Sequence, residues 1–249
     1  MTQQSDAPSA AGRSGAPTGT PGPDAPTLAE DLLLLLFQPD SGTIAGETTL
    51  YYALGGAVLA DLALGERVRT TKGRLGGVRV EAVPERRPSD EILGSGWDYL
   101  SGKPRDVQTA LAAIGPGLRE PVLGRLAERG EIHREKRKML GLFPTTALRD
   151  GGTGRRARLL AQVRDVLVDG VEPGERVAAL TALLAASKTL PQFDPEIPWT
   201  SPVISRAEEI RRGNWGAGAA AEAVTRTVTA TVVNSVVVAL VASSEGSGA

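Results

Sequence analysis

Five consecutive leucines, Leu32 to Leu36, constrain this chain more than any other feature, because a helix built on them has no polar face to turn toward water. Thr27-Leu28-Ala29-Glu30 stands just before the run, where Thr27 can cap a first turn and Glu30 can reach back to the cap. The pattern predicts a helix that starts at Thr27 and is surrounded by other elements. The chain ahead of it has the opposite character. Residues 1–26 are almost entirely Ser, Ala, Gly, Pro, Thr, Gln and Asp, which bury too little apolar surface to offset the entropy of ordering. A disordered arm is expected there, and a disordered tail at 244–249.

Between these ends the spacing predicts further helices. From Thr48 to Leu64, the residues Leu50, Leu54, Ala57, Val58 and Leu62 recur at helical intervals, and Gly55-Gly56 would let a neighbouring backbone approach closely. Arg67 to Val83 alternates apolar and polar residues around Lys72-Gly73 and Gly76-Gly77, as a β hairpin does. The order repeats downstream: Leu118 to Arg129 reads as a helix closed by Gly130, and Glu131 to Leu148 as a second hairpin. Helices follow over Arg155 to Leu167, from Pro173-Gly174-Glu175 to about Lys188, and over Val203 to Arg212, with a proline-rich loop at Leu190 to Pro202. A last helix is expected from Ala217, its β-branched residues making a strand the competing reading. With 249 residues, 41% hydrophobic and 23% charged, the chain suits one large core. The expected fold is mainly α: a single globular multi-helix domain over 27–243 carrying one or two β hairpins.

Composition removes several chemistries. There is no cysteine, hence no disulfide or thiolate, and His133 is the one histidine. Gly151-Gly152-Thr153-Gly154 lacks the spacing that cradles nucleotide phosphates. Asp90-Glu91 and Glu208-Glu209 are adjacent and would point apart on a helix, unlike an acid and base sharing a cleft. No enzyme, metal or cofactor is expected. The start, MTQQSDAPSA, carries no basic and apolar leader, which points to the cytoplasm. The longest apolar stretch, Ala217 to Ala242, is interrupted by Glu222, Arg226 and Asn234 and falls short of the roughly 18 to 20 residues that span a bilayer, so it reads as a buried helix.

Net charge is −1, so any attraction to a charged partner is local. Between Arg119 and Arg164 twelve Lys or Arg face five Asp or Glu, and Arg67 to Arg79 holds five basic residues and no acid. Arg155-Arg156-Ala157-Arg158 follows the glycine run at an expected helix N-terminus, which combines free N–H groups, the helix dipole and arginines as an anion site does. Met139, Leu140, Leu142 and Phe143 form an apolar hairpin tip beside Lys138 and Arg149, suited to insertion, self-association or burial. Trp97, Trp199 and Trp215 lie in polar, glycine- or proline-bearing segments, as seam plugs or membrane-interface residues do.

Several of these stretches, taken in order, resemble the Golgi phosphoprotein 3-like family. They are Thr27 to Leu35, Ala53-Leu54-Gly55-Gly56-Ala57-Val58 through Leu64, Trp97-Asp98-Tyr99-Leu100-Ser101-Gly102, Leu126-Ala127-Glu128-Arg129-Gly130 and the Met139 to Thr146 hairpin. The Ala-, Gly- and Arg-rich composition suggests a bacterial, actinobacterial-type member. The resemblance implies a mainly helical fold, no enzymatic chemistry, a hairpin used in self-association, and binding of phosphatidylinositol 4-phosphate and of glycosyltransferase tails by the eukaryotic members. The family's headgroup pocket uses a tryptophan and an arginine around the second helix and two arginines three residues apart on a middle helix. Ungapped matching puts these at Gly46, Gly55, Pro116 and Arg119, so Arg119 alone keeps the family's residue type.

The resulting expectation is a peripheral membrane adaptor in the cytoplasm, on the inner face of a membrane, with an anionic phospholipid headgroup and a protein client as partners. Arg119, Arg125, Arg129, Arg155, Arg156 and Arg158 are the expected headgroup contacts. Lys138, Met139, Leu140, Leu142 and Phe143 are the expected homo-oligomer or membrane hairpin. Two alternatives stay open. One is a winged-helix-like DNA module with Lys136, Arg137 and Lys138 on its wing, against which the near-zero net charge argues. The other is a protein scaffold that needs no lipid.

Overall fold

The structure, a computed structural model, describes residues 25–72, 78–139, 143–214 and 229–240. The expected arm up to residue 24, the tail at 244–249, Leu140, Leu142 and Trp215 lie outside these residues, as does the start of the last expected helix. Lys138, Met139 and Phe143 are described by their backbone alone.

Helix α1 (Leu28–Leu36) begins with the capping box read from the sequence: Thr27 Oγ1 accepts from the Glu30 N–H at 3.2 Å, and Glu30 Oε2 accepts from the Thr27 N–H at 2.8 Å. All nine of its residues are buried. Two short strands follow, β1 (Phe37–Gln38) and β2 (Thr43–Ile44), paired antiparallel. A 3-10 turn, Glu47–Thr49, leads into α2 (Leu50–Leu64), which is itself buried along most of its length. Strands β3 (Val68–Lys72) and β4 (Val78–Ala82) pair antiparallel where a hairpin is expected. The sheet gains a third strand, β5 (Arg105–Asp106), on the far side of β4.

Two helices absent from the expected set flank β5. Helix α3 (Glu91–Ser101) is capped by Asp90, whose carboxylate accepts from the Leu93 N–H at 2.9 Å, and α4 (Val107–Ile114) by Asp106 on the Gln108 N–H at 3.0 Å. A 3-10 turn, Gly115–Gly117, joins α4 to α5 (Arg119–Glu128). Gly130, at φ 68°, then turns the chain into β6 (Ile132–Met139), which pairs antiparallel with β7 (Phe143–Asp150). Helices α6 (Arg155–Leu167), α7 (Glu175–Ala186) and α8 (Ser201–Arg211) follow as expected. The segment 229–240, α9, is helical: burial of Val232, Val233 and Val236 overrides the weak helix preference of β-branched residues.

Helix α1 is enclosed by α2, α5, α6 and α7, which is how a helix apolar on every side is accommodated. Helix α2 packs in turn on α3, α4 and α7. One contiguous set of buried apolar side chains extends from Leu28 to Leu240. Truncating one of its leucines to alanine costs about 2–5 kcal/mol in cores of this kind.

Candidate functional site

Two groups of arginine–carboxylate pairs organise the charge of the molecule. The first surrounds the first turn of α1. Glu30 is fully buried and, besides serving the cap, accepts from Arg129 Nε at 2.9 Å with Arg125 Nη1 at 3.8 Å. Arg125 also pairs with Asp90 at the start of α3. Next door, Asp31 binds both Arg155 and Arg176. Arg176 reaches Asp61 of α2 at 3.1 Å, Asp61 accepts from the Leu28 N–H at 2.6 Å, and Arg155 lies 3.3 Å from Glu131. The pairs therefore tie α1 to α2, α5, α6 and α7. Two acids in a first helical turn also complement the positive end of the helix dipole.

Within this first group three carboxylates, Asp31, Asp61 and Glu131, share two guanidiniums, Arg155 and Arg176. Burial pushes the Asp61 carboxyl up to about 6, against the pull of Arg176 and the Leu28 N–H. Burial also works against the charged form of Arg176, and Asp61 and Asp31 outweigh it, leaving its pKa raised.

The expected anion site at the α6 N-terminus is met by the protein's own carboxylate. Thr153 Oγ1 accepts from the Arg155 N–H at 3.2 Å and donates to Glu131, the acid that also faces the Arg155 guanidinium. Arg156 is half-buried, donates to the Phe37 carbonyl at 3.2 Å, and has its pKa lowered by desolvation. Arg158 is exposed and donates to the Thr153 carbonyl at 3.3 Å.

The second group lines a cleft between the start of α2, the start of α5 and the base of the β6–β7 hairpin. Arg119 divides it. On one side Glu47, Leu50, Tyr51 and Pro116 enclose about 300 Å³. On the other, the Gly42–Ile44 turn, Glu120, Leu123, Arg134 and Leu148 enclose about 490 Å³, and Glu47 lines both sides. Two glycines set the walls. A Cβ on Gly115 would lie 2.1 Å from the Tyr51 carbonyl oxygen, so only glycine lets the α4–α5 turn close on α2. At Gly42, φ is 73° and a Cβ would meet the Leu148 oxygen at 2.8 Å; the Leu148 N–H donates to the Gly42 carbonyl at 3.2 Å, fixing the hairpin base to the β1–β2 turn.

Inside the cleft Arg119 pairs with Glu47 and Glu120, and Arg134 reaches Glu120 at 2.8 Å. The hydrogen bond that Arg119 donates to Glu47 leads in raising the Arg119 pKa, and the one that Arg134 donates to Glu120 leads in lowering that of Glu120. The sequence reading thus reached Arg119 but missed Glu47, Glu120 and Arg134. Of the tryptophans, Trp97 is part-buried against the core, whereas Trp199 is exposed on the surface.

The family model for Golgi phosphoprotein 3 (GPP34) matches residues 28–227. The chain belongs to the GPP34 family. GPP34 is not a known enzyme family, and comparison with curated proteins returns no significant match. Among the described residues no helix is long and apolar enough to cross a membrane. Of the four positions that the resemblance gives to the GPP34 headgroup pocket, Pro116 and Arg119 line the smaller cavity. Gly46 precedes the Glu47–Thr49 turn, and Gly55 is buried one turn beyond Tyr51, its Cβ position 3.4 Å from Gly115.

Proposed function

We propose that this GPP34 chain is a non-enzymatic peripheral adaptor that seats an anionic phospholipid headgroup at the Arg119 cleft, on the inner face of a membrane. In the same reading it self-associates through the hairpin residues Lys138, Met139, Leu140, Leu142 and Phe143 and presents a protein client at that surface. One observation carries the lipid step. Arg119 is 41% exposed inside a cavity at the family's pocket position, whereas Arg125, Arg129 and Arg155 are committed to buried carboxylates. Exposed pairs such as Arg119–Glu47 are worth about 0–1 kcal/mol, so a headgroup phosphate can take the guanidinium from its carboxylate at little cost. Arg156 and Arg158 belong to the outer rim of this reading, as a wider field for anionic lipid.

The test is co-sedimentation with neutral and anionic vesicles, with and without phosphoinositide, at low and physiological salt. Salt-sensitive binding to anionic vesicles is expected, falling about tenfold in Arg119→Ala, the effect of losing one charge-assisted hydrogen bond. Binding that ignores this substitution, or no binding to any anionic vesicle, refutes the reading.

A further inference from the structure

We infer that the edge of strand β3 is a docking site for an extended acidic segment of another protein, which joins the β3–β4–β5 sheet as a fourth strand. The inference does not rest on the lipid reading, because the two surfaces are separate. Strand β3 follows the end of α2 and the Arg119 cleft surrounds its start, so the length of a 15-residue helix, about 20 Å, lies between them.

The register fixes which backbone groups the edge offers. The Val83 N–H donates to the opposite Arg67 carbonyl at 2.8 Å, so Arg67, and with it Arg69 and Thr71, turn their hydrogen-bonding groups toward β4. Val68, Thr70 and Lys72 turn theirs the other way. No strand pairs with β3 on that side, and Val68 and Thr70 have no backbone partner there among the described residues. Unpaired edge groups of this kind are a template for a further strand. At the opposite edge β5 is two residues long and offers no comparable ladder.

Charge decides the occupant. From Arg67 to Arg79 the sequence holds five basic residues and no acid. Across the sheet Glu81 faces Arg69 and Asp106 faces Arg79, whereas Arg67 and Lys72, at the two ends of β3, face Val83 and Val78. Arg69 gives Nε to Glu81 at 2.6 Å and still keeps 61% of its side chain in water. An antiparallel newcomer places its residues opposite Arg69 and Thr71 in non-hydrogen-bonded pairs, where cross-strand side chains lie closest. Acids belong there. Its residues opposite Val68 and Thr70 share the inner face with the buried Val80 and Ala82, which favours β-branched apolar side chains. The segment recognised therefore alternates acidic and β-branched residues. A second copy of this chain fits badly, since β3 against β3 gathers Arg67, Arg69 and Lys72 of both copies along one seam.

The test titrates the full chain into a labelled peptide of alternating glutamate and valine, at low and physiological salt. A peptide of equal charge with proline in place of valine, unable to add a strand, runs beside it. Salt-sensitive binding at least tenfold tighter for the first peptide is expected, with slowed amide exchange at Val68 and Thr70 in NMR spectra. N-methylation of one alternate set of peptide residues should abolish binding and methylation of the other set should leave it, because each set faces one edge of the strand. Thr70→Pro removes an N–H that β4 does not use and should weaken binding about tenfold. Arg69→Gln should weaken it several-fold, and takes the place of Thr70→Pro if that variant unfolds. Equal binding of the two peptides, or binding that neither methylation set changes, makes the hairpin a general polyanion surface and overturns the docking strand. Failure of the alternating peptide to bind overturns it as well.

Discussion

The first turn of α1 and the Arg119 cleft use the same chemistry, arginine against carboxylate, and differ in where they keep it. Around α1 the acids are buried: Glu30 is fully enclosed, and Asp31 and Asp61 nearly so. In the cleft, Glu47, Glu120, Arg119 and Arg134 all face water. A buried charge that loses its partner has no solvent to fall back on, and breaking such a pair costs about 3–5 kcal/mol. An exposed pair is replaced by water and is worth about 0–1 kcal/mol. The lesson is that a count of arginines locates neither stability nor ligand; access to water separates them. Arg125, Arg129 and Arg155 hold helices together, and Arg119 is free to exchange its partner.

The sharpest way to break this contrast is at Glu30. Glu30→Ala removes a carboxylate shared by Arg129 and Arg125, the reciprocal half of the capping box and a filled core position, so a loss of about 3–5 kcal/mol is expected in chemical unfolding. A loss below 1 kcal/mol would mean that the buried pairs around α1 contribute no more than the surface pairs, and the contrast would collapse.

Asp61 sharpens the same contrast through pH. Its folded pKa of about 6 lies above the ordinary aspartate value, so between about pH 4 and 6 the folded state binds more protons than the unfolded chain. Its contribution to stability is complete below about pH 4 and is lost as pH rises through about 6. By linkage the amplitude is up to about 3 kcal/mol. Asp61→Asn has no proton to gain, so the difference between wild type and variant should change by that amount across the window, measured as denaturant midpoints at a series of pH values. Parallel curves would show that Asp61 is ionised with no burial penalty. In the cleft the Glu120 carboxyl is shifted the other way, lowered first by its hydrogen bond with Arg134, so any contribution from it is lost as pH falls.

Much of this was legible because local rules and burial agreed. The Thr27–Glu30 capping box and the leucine run gave α1 and its central position, and Gly130 gave the turn from α5 into the hairpin. Helices α3 and α4 were missed although Asp90 and Asp106 are ordinary caps, because Gly94, Gly96 and the short apolar span of α4 dilute the helical period. The site was less legible for a physical reason. Sequence spacing shows that Arg125, Arg129 and Arg155 are cations near one another, but their partners Glu30, Asp31, Asp90 and Glu131 come from other elements, up to 124 residues away. One signal was available: Glu30-Asp31, set against five leucines in a helix buried on all sides, had to be paired with something.

The smallest effect on stability tests the other side of the contrast. Glu47→Gln keeps an acceptor for Arg119 and removes only the charge that competes with a ligand. Because the Glu47 side chain is half exposed, unfolding should shift by no more than about 0.5 kcal/mol. Vesicle binding should move in the opposite sense to Arg119→Ala, rising several-fold on anionic lipid at low salt, since the phosphate no longer displaces a carboxylate. A variant that loses both stability and binding would make Glu47 a structural partner like Glu30, and Arg119 would join the arginines that hold the fold together.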